Sequence, residues 1–165
     1  MPLSLAGGGH YAPPSDQPEQ QDRLMGQWME THRGVVFPAL CDHLGHMNVR
    51  YYAHAFDDAS FHAWARIGIT FEAMHAEGAV TVVAHTATDF VREVTAGSLI
   101  KVETAFVKLG TKSVTYRQRL IDAENGELYA NQQVVEVFFD LETRKSVAMP
   151  AAFREKIAAA LVAEN

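Results

Sequence analysis

One long helical pattern, followed by a long stretch of strand-like sequence, constrains the fold of this chain most strongly. Between Asn48 and Gly68, apolar side chains recur at steps of three and four residues. The recurring residues are Tyr52, Ala55, Phe56, Ala59, Ala63 and Ile67. This spacing predicts a helix with one broad buried face, which Asn48 would cap at its start and Gly68 would end.

The sequence after this helix, residues 79–140, is dense in valine and threonine and alternates apolar with polar residues, as strands do. Three turn-forming segments interrupt it and predict hairpin connections: Ala96-Gly97, Leu109-Gly110-Thr111 and Glu124-Asn125-Gly126. We therefore expect four consecutive strands in a meander. A short strand at residues 34–37 would precede the long helix, and Pro150 would open a terminal helix. This order predicts an α+β domain in which an antiparallel sheet wraps around one helix.

The length of 165 residues suits a single domain. Residues 1–27 contain three consecutive glycines and a Pro-Pro pair but no apolar periodicity, so we expect a flexible arm there and a folded domain at residues 28–165. A net charge of −6 without a basic stripe argues against a nucleic-acid partner. The sequence has no apolar run long enough for a membrane span and no signal-peptide pattern, so the expected location is cytoplasmic.

The segment between the first strand and the long helix carries the most informative motif. It reads Cys41-Asp42-His43-Leu44-Gly45-His46-Met47-Asn48, and Tyr51-Tyr52 and Phe56-Asp57-Asp58-Ala59 follow it in the helix. Residues 93–98, residues 110–113, Val137-Phe138-Phe139-Asp140 and Met149-Pro150 extend the pattern along the chain. Together these segments resemble the 4-hydroxybenzoyl-CoA thioesterase family over residues 33–157. The resemblance implies a hotdog fold and hydrolysis of acyl-CoA thioesters, with no cofactor and no metal.

The junction between strand and helix suits thioester hydrolysis on chemical grounds. The reaction requires an activated water or nucleophile and stabilisation of the oxyanion. Asp42 can supply the first as nucleophile or general base, and free amide groups at the start of the helix can supply the second. The resemblance implies these roles for Asp42 and for an amide near Val49, a position where many relatives carry a second asparagine. Gly45 would permit the turn.

Two further junction residues are candidates with open alternatives. His46 and Asn48 could each orient Asp42 or a water molecule, and Asn48 could equally be a plain helix cap. Asp42 itself could be an ordinary turn residue, since aspartate often stabilises turns. The catalytic candidates are therefore Asp42, Gly45, His46, Asn48 and Val49.

Candidate substrate contacts lie mainly on the helix and on the strands expected to face it. Aromatic residues would line the acyl pocket, which favours a small or aromatic acid. The candidates for contact with the phosphates or pantetheine are Arg50, Arg92, Lys112 and Ser113, although each could also be ordinary solvated surface. The substrate-binding candidates are Tyr51, Tyr52, Phe56, Asp57, Phe90, Lys112 and Ser113. The Gly-His-Met-Asn-Val form also resembles thioesterases for small polar acyl groups, including a betaine-type one, for which Asp57 or Asp58 would suit a cation.

A sheet wrapped around one helix leaves an uncovered edge, so a homodimer or homotetramer is expected, with the site between subunits. Several alternatives remain open. The catalytic carboxylate could lie on the helix, at Asp57 or Asp58. The fold could serve a hydratase or dehydratase, or an acyl-CoA-binding protein without catalysis. A metal hydrolase could use the histidines and aspartates clustered around the junction: His43, His46, His54, His62, Asp42, Asp57 and Asp58.

Overall fold

The computed structural model describes residues 27–162, so the predicted arm at residues 1–27 lies outside the described residues except for Gln27. The strands are β1 (Met29–Val35), β2 (Ala79–Phe90), β3 (Leu99–Leu109), β4 (Ser113–Asp122), β5 (Leu128–Asp140) and β6 (Lys145–Ser146). The helices are α1 (Val49–Arg66), α2 (Phe71–Ala76) and α3 (Ala151–Ala160), with a short 3-10 turn at Pro38–Leu40 before α1. No helix in this part of the chain is long and apolar enough to cross a membrane.

Helix α1 begins and ends where the sequence predicts. The side chain of Asn48 accepts a hydrogen bond from the Arg50 N–H at 3.2 Å, and Gly68 follows the helix with a φ of 73°. The buried face consists of Tyr52, Ala55, Phe56, Ala59, Ser60, Ala63 and Trp64. Because this face is broad and rich in alanine, α1 packs closely against the concave side of the sheet.

The sheet is antiparallel with strand order β1-β3-β4-β5-β2, and β6 adds a short pairing to β5. The expected α+β class, with an antiparallel sheet around one long helix, is confirmed. The expected meander of four strands is wrong, because β2 pairs with β5 at the far edge instead of with β3. Ala96-Gly97 is therefore part of a crossover from the edge strand β2 to the interior strand β3, and not a hairpin.

The first strand also differs from its prediction. It spans Met29–Val35, whereas the sequence indicated residues 34–37. Pro38 begins the 3-10 turn and ends the pairing early, while the polar residues of an edge strand gave no apolar signal for its start.

Candidate active site

A tight loop carries Asp42 from the end of the 3-10 turn to the start of α1. Isolated bridges pair Cys41 with Met47, and the Asp42 N–H donates to the His46 carbonyl at 2.9 Å. Within the loop, the Gly45 N–H donates to the Asp42 carbonyl at 3.0 Å. Gly45 has a φ of 82°, a left-handed conformation that side chains disfavour, and this explains a glycine at that position.

The Asp42 carboxylate is held in place by its own loop. The Leu44 N–H donates to Asp42 Oδ1 at 2.8 Å, and the side chain is half-buried. This short-range bond is an Asx turn, so the turn role and the catalytic role of Asp42 are compatible. Within residues 27–162, no hydrogen bond engages Asp42 Oδ2, and this oxygen is available for chemistry.

The N-terminus of α1 supplies amide donors beside Asp42. Asn48 caps the helix by accepting from the Arg50 N–H, and the Tyr51 N–H donates to the Asn48 carbonyl. The Val49 N–H has no acceptor among the described residues, and its side chain is 60% exposed. Val49 thus presents a free donor at the positive end of the helix dipole, which is the feature an oxyanion requires.

The crossover segment after β2 packs against this loop and forms the opposite wall of the site. The Met47 N–H donates to the Val94 carbonyl at 2.7 Å, and an isolated bridge pairs His46 with Thr95. Through this contact His46 Nε2 lies 3.2 Å from Glu93 Oε2. His46 is therefore oriented by a carboxylate that the sequence did not single out as a site residue.

These elements border an open pocket of about 310 Å³, here called the junction pocket. Its lining comes from the loop (Asp42, His46, Met47), from α1 (Val49, Tyr52) and from the end of β2 and the crossover (Phe90, Val91, Arg92, Glu93). This volume lies at the small end of the range typical of ligand sites. Five predicted site residues are brought together here: Asp42, His46, Val49, Tyr52 and Phe90.

Two aromatic rings form the apolar wall of the junction pocket. The rings of Tyr52 and Phe90 meet edge to face with centroids 5.1 Å apart. Burial raises the pKa of the Tyr52 hydroxyl, although a hydrogen bond from the Val94 backbone partly opposes this effect. Tyr52 is therefore a neutral hydrogen-bonding group at physiological pH, and Phe90 remains 53% exposed.

Other predicted site residues lie away from this pocket. Phe56 is fully buried in the core beneath α1, and Tyr51 lies under the Arg50 guanidinium at 5.6 Å. Lys112 and Ser113 lie at the turn between β3 and β4, where Lys112 Nζ donates to the Ser146 carbonyl at 2.9 Å. Asp57 lines a separate groove further along α1.

Sequence reasoning named Arg92 as a candidate contact for the phosphates or pantetheine but missed Glu93 as a site residue. Both lie on the crossover that was interpreted as a hairpin, so their approach to Asp42 was not foreseen. Arg92 Nη1 lies 3.2 Å from Glu127 Oε1 and remains largely exposed at the rim. The only signal in the sequence was the likeness of residues 93–98 to a family turn.

The histidines and aspartates around the junction do not form a metal centre. Among residues 27–162, no group of three or more His, Cys, Asp or Glu side chains converges as metal ligands would. His54 and His32 approach Asp58 from two sides, at 3.4 Å and 3.9 Å, and all three residues lie outside the junction pocket.

Comparison with known proteins gives the family and the fold. The family model of the thioesterase-like superfamily matches residues 36–157. No curated protein matches the sequence. Among solved structures, the hypothetical protein SAV2348 from Staphylococcus aureus, in complex with CoA, gives a TM-score of 0.74 at 22% identity. The match covers 81% of this chain and 84% of that one.

Two further solved structures are thioesterases by name. The 1,4-dihydroxy-2-naphthoyl-CoA thioesterase Slr0204 from Synechocystis gives a TM-score of 0.70 at 16% identity, covering 80% of this chain and 96% of its own. YbaW, a probable thioesterase from Escherichia coli, gives a TM-score of 0.70 at 22% identity. The match covers 81% of this chain and 98% of that one. The chain therefore belongs to the thioesterase-like superfamily and has the hotdog fold that its sequence motif implies.

Proposed function

We propose that this protein hydrolyses an acyl-CoA thioester to the free acid and CoA, with Asp42 as the catalytic carboxylate. The observation that carries the proposal is the convergence of Asp42 and the free Val49 N–H on one pocket. A carboxylate and an oxyanion donor are the two groups that hydrolysis of an activated carbonyl requires.

The chemistry can be written with these groups alone. Asp42 accepts a proton from water as the water oxygen bonds to the thioester carbonyl carbon, and the Val49 N–H stabilises the oxyanion. The C–S bond then breaks, and the CoA thiolate takes the proton from the Asp42 carboxyl. In the nucleophilic variant, Asp42 attacks the carbon directly, CoA leaves, and water opens the resulting anhydride.

His46 acts in this scheme as a positioning residue. Its imidazole lies 3.2 Å from Glu93 and lines the same pocket as Asp42. An imidazole held by a carboxylate keeps a fixed orientation, so it can hold the attacking water or the thioester against Asp42. Arg92, at the rim of the pocket, is the cation best placed to contact the CoA phosphates.

Recognition of CoA thioesters has support from the relatives. Slr0204 is a thioesterase for a CoA ester, and SAV2348 was solved in complex with CoA. At identities of 16% and 22% these proteins share the fold, and their association with CoA supports the substrate class that we propose for this chain.

A second copy of the chain completes the site in this proposal. Strand β2 is a 12-residue edge strand, and Val83 on it is 55% exposed. An exposed edge of this length is a template for pairing with another strand. Because Phe90 at the end of β2 lines the junction pocket, pairing of two β2 strands would place a partner subunit against the site.

The test is a panel of acyl-CoA substrates assayed for release of free thiol. The panel should contain short, branched, aromatic, hydroxylated and long-chain acyl groups. The proposal predicts turnover of at least one class well above the rate without enzyme. Absence of thiol release from every class by folded protein would contradict it.

A further inference from the structure

A second open cavity lies along α1 beside the junction pocket, and we call it the side groove. It has a volume of about 430 Å³ and lies between one face of α1 and the strands β2, β4 and β5. Apart from Ala53, Val83 and Val134, every side chain that lines it carries a hydrogen-bonding or charged group. A fatty acyl chain placed there would strip water from these groups without replacing their hydrogen bonds, which is unfavourable.

A row of polar side chains crosses the inner face of the sheet and meets this groove at Gln132. The row runs from β1 to β2 in the order Thr31, Thr104, Gln118, Gln132, Thr88. Gln118 is only 1% exposed, and no donor among the described residues reaches its Oε1. The row thus has unused hydrogen-bonding capacity beside the groove.

Gln132 is the member of this row that lines the groove. The Thr88 hydroxyl donates to Gln132 Oε1 at 3.0 Å and so fixes the orientation of the amide. Gln132 Nε2 makes no hydrogen bond within residues 27–162 and is free to donate to a ligand. Asp57 on α1 lines the opposite wall and can only accept when ionised.

The floor between these walls is rigid. The Tyr116 hydroxyl lies 2.9 Å from Ser60 Oγ and also contacts the buried carboxyl of Glu136. Ser60 in turn donates to the Phe56 carbonyl at 2.9 Å. Because every floor group already has partners in the protein, selection between ligands falls to the polar wall residues, which are Arg50, His54, Asp57, Thr86 and Gln132. Among them, Gln132 offers a free amide donor, and Asp57 offers a carboxylate acceptor on the facing helix.

The position of the groove suits the acyl end of the proposed substrate. Val49, which offers the oxyanion donor, and Ala53, which lines the groove, are one helical turn apart, about 6 Å along the axis. A short acyl group whose carbonyl sits at Val49 can therefore extend to the groove, and its end would meet Gln132 and Asp57.

We propose that the side groove binds the acyl group and selects short acyl chains that carry a hydroxyl. The hydroxyl oxygen would accept from Gln132 Nε2, and its proton would be donated to the Asp57 carboxylate. A hydroxyl forms hydrogen bonds with both Gln132 and Asp57, whereas a methyl group of the same size forms neither. This inference rests on the proposed thioesterase function, because it takes the acyl-CoA as the ligand.

The experiment measures binding with compounds that cannot be hydrolysed, so its result is independent of turnover. Two matched pairs of CoA thioethers are titrated into the full chain by calorimetry: S-(4-hydroxybutyl)-CoA against S-pentyl-CoA, and S-(6-hydroxyhexyl)-CoA against S-heptyl-CoA. Each pair differs only by hydroxyl against methyl. We expect the hydroxyl member of at least one pair to bind about tenfold more tightly, which corresponds to about 1.4 kcal/mol.

Variants assign the selectivity to the groove. Gln132→Leu should remove the preference by weakening binding of the hydroxyl compound while leaving the alkyl compound unchanged or tighter. Gln133→Leu is the matched control, because Gln133 is the next residue on β5 and lies on the other face of the sheet. Asp57→Ala, at an exposed helix position, should reduce the preference in the same way, whereas Asp58→Ala should not.

The outcomes separate this inference from the proposed function. Equal or tighter binding of the alkyl members in both pairs overturns the inference, as does undetectable binding of both hydroxyl compounds. A preference that survives both Gln132→Leu and Asp57→Ala also overturns it. Hydroxyl-selective binding without turnover of any acyl-CoA would sustain the groove assignment and contradict the thioesterase proposal alone.

Discussion

At the scale of single residues, Glu136 shows how burial determines the protonation state of a carboxyl. Glu136 is 4% exposed; the Trp64 indole N–H donates to Oε2 at 3.1 Å, and the Tyr116 hydroxyl donates to Oε1. The Tyr116 hydroxyl also lies 2.9 Å from Ser60 Oγ. The partners of this carboxyl are therefore neutral hydrogen-bonding groups, and no cation pairs with it among the described residues.

Burial of this carboxyl favours its protonated form. Burial is the main cause that raises the pKa of Glu136, while hydrogen bonds from Thr81, Tyr116 and Trp64 oppose it and the charge of Asp57 adds to it. A carboxyl buried among neutral groups, with an acidic neighbour, retains its proton well above the usual pH. Glu136 is therefore a neutral acid in the core.

A neutral Glu136 has a predictable effect on stability. Its pKa is 4.5 when unfolded and higher when folded, so the folded state holds more protons between these two values. Its contribution to stability is complete below pH 4.5 and is lost as pH rises through the folded pKa, at about 1.4 kcal/mol per pH unit. In Glu136→Gln the free energy of unfolding should fall less steeply with pH than in the wild type. Urea unfolding measured from pH 4 to 8 tests this. Glu124→Gln, in an exposed turn, is the control, and an unchanged slope in Glu136→Gln would contradict the assignment.

At the scale of elements, the loop that holds Asp42 depends on one glycine conformation. An added Cβ at Gly45 would meet no atom within 4 Å, so only the φ of 82° opposes a side chain there. Gly45→Ala should lower the free energy of unfolding by about 1–2 kcal/mol, and Gly45→Asn by less, because asparagine adopts left-handed conformations more readily. Urea unfolding tests this order, and equal stability of both variants and wild type would show that the turn tolerates another conformation.

The elements also show what sequence could and could not predict. The start and end of α1 were predictable because caps and periodicity are local properties, seen here at Asn48 and Gly68. The pairing of β2 with β5 was not predictable, because it depends on long-range packing. Strands that are neighbours in sequence often do not pair. Glu93 was missed for the same reason, since the misassigned crossover is the segment that brings it to the junction pocket.

The candidate site was predictable to the extent that its residues are adjacent in sequence. Asp42, His46 and Val49 come from one short segment, and the helix start fixes their relative positions. Lys112 and Ser113 were proposed by resemblance, and in a single chain they lie at the other end of the sheet, outside the junction pocket. Their role in substrate binding stays a prediction that a partner subunit would have to satisfy.

At the scale of the whole molecule, self-association should depend on β2. Two copies of β2 related by a two-fold axis would pair antiparallel. Val82 of each copy would then lie at the interface between the two strands. Val82→Lys should weaken association, because like charges would face each other across the new pairing. Val35→Lys is the control, because Val35 lies on the opposite edge strand, β1, and is 41% exposed, compared with 37% for Val82.

Sedimentation equilibrium at micromolar concentration measures this effect. We expect a dimer or tetramer for wild type and for Val35→Lys, and a shift toward monomer for Val82→Lys. A strictly monomeric wild type would contradict a site shared between subunits, and equal weakening by both variants would place the interface elsewhere.

The central claim is that Asp42 is the catalytic carboxylate, and steady-state kinetics of Asp42→Asn tests it most directly. Asparagine can still accept the Leu44 N–H, so the loop should keep its shape and the melting temperature should stay close to wild type. With the best acyl-CoA of the panel, kcat should fall by roughly 10²–10⁴, the usual contribution of a positioned acid–base group, while KM changes far less. Asp58→Asn, on α1, should keep most of kcat, and Asp57→Asn should act mainly on KM because Asp57 lines the proposed acyl groove. Retained turnover in Asp42→Asn, with its loss in either helix variant, would contradict the account.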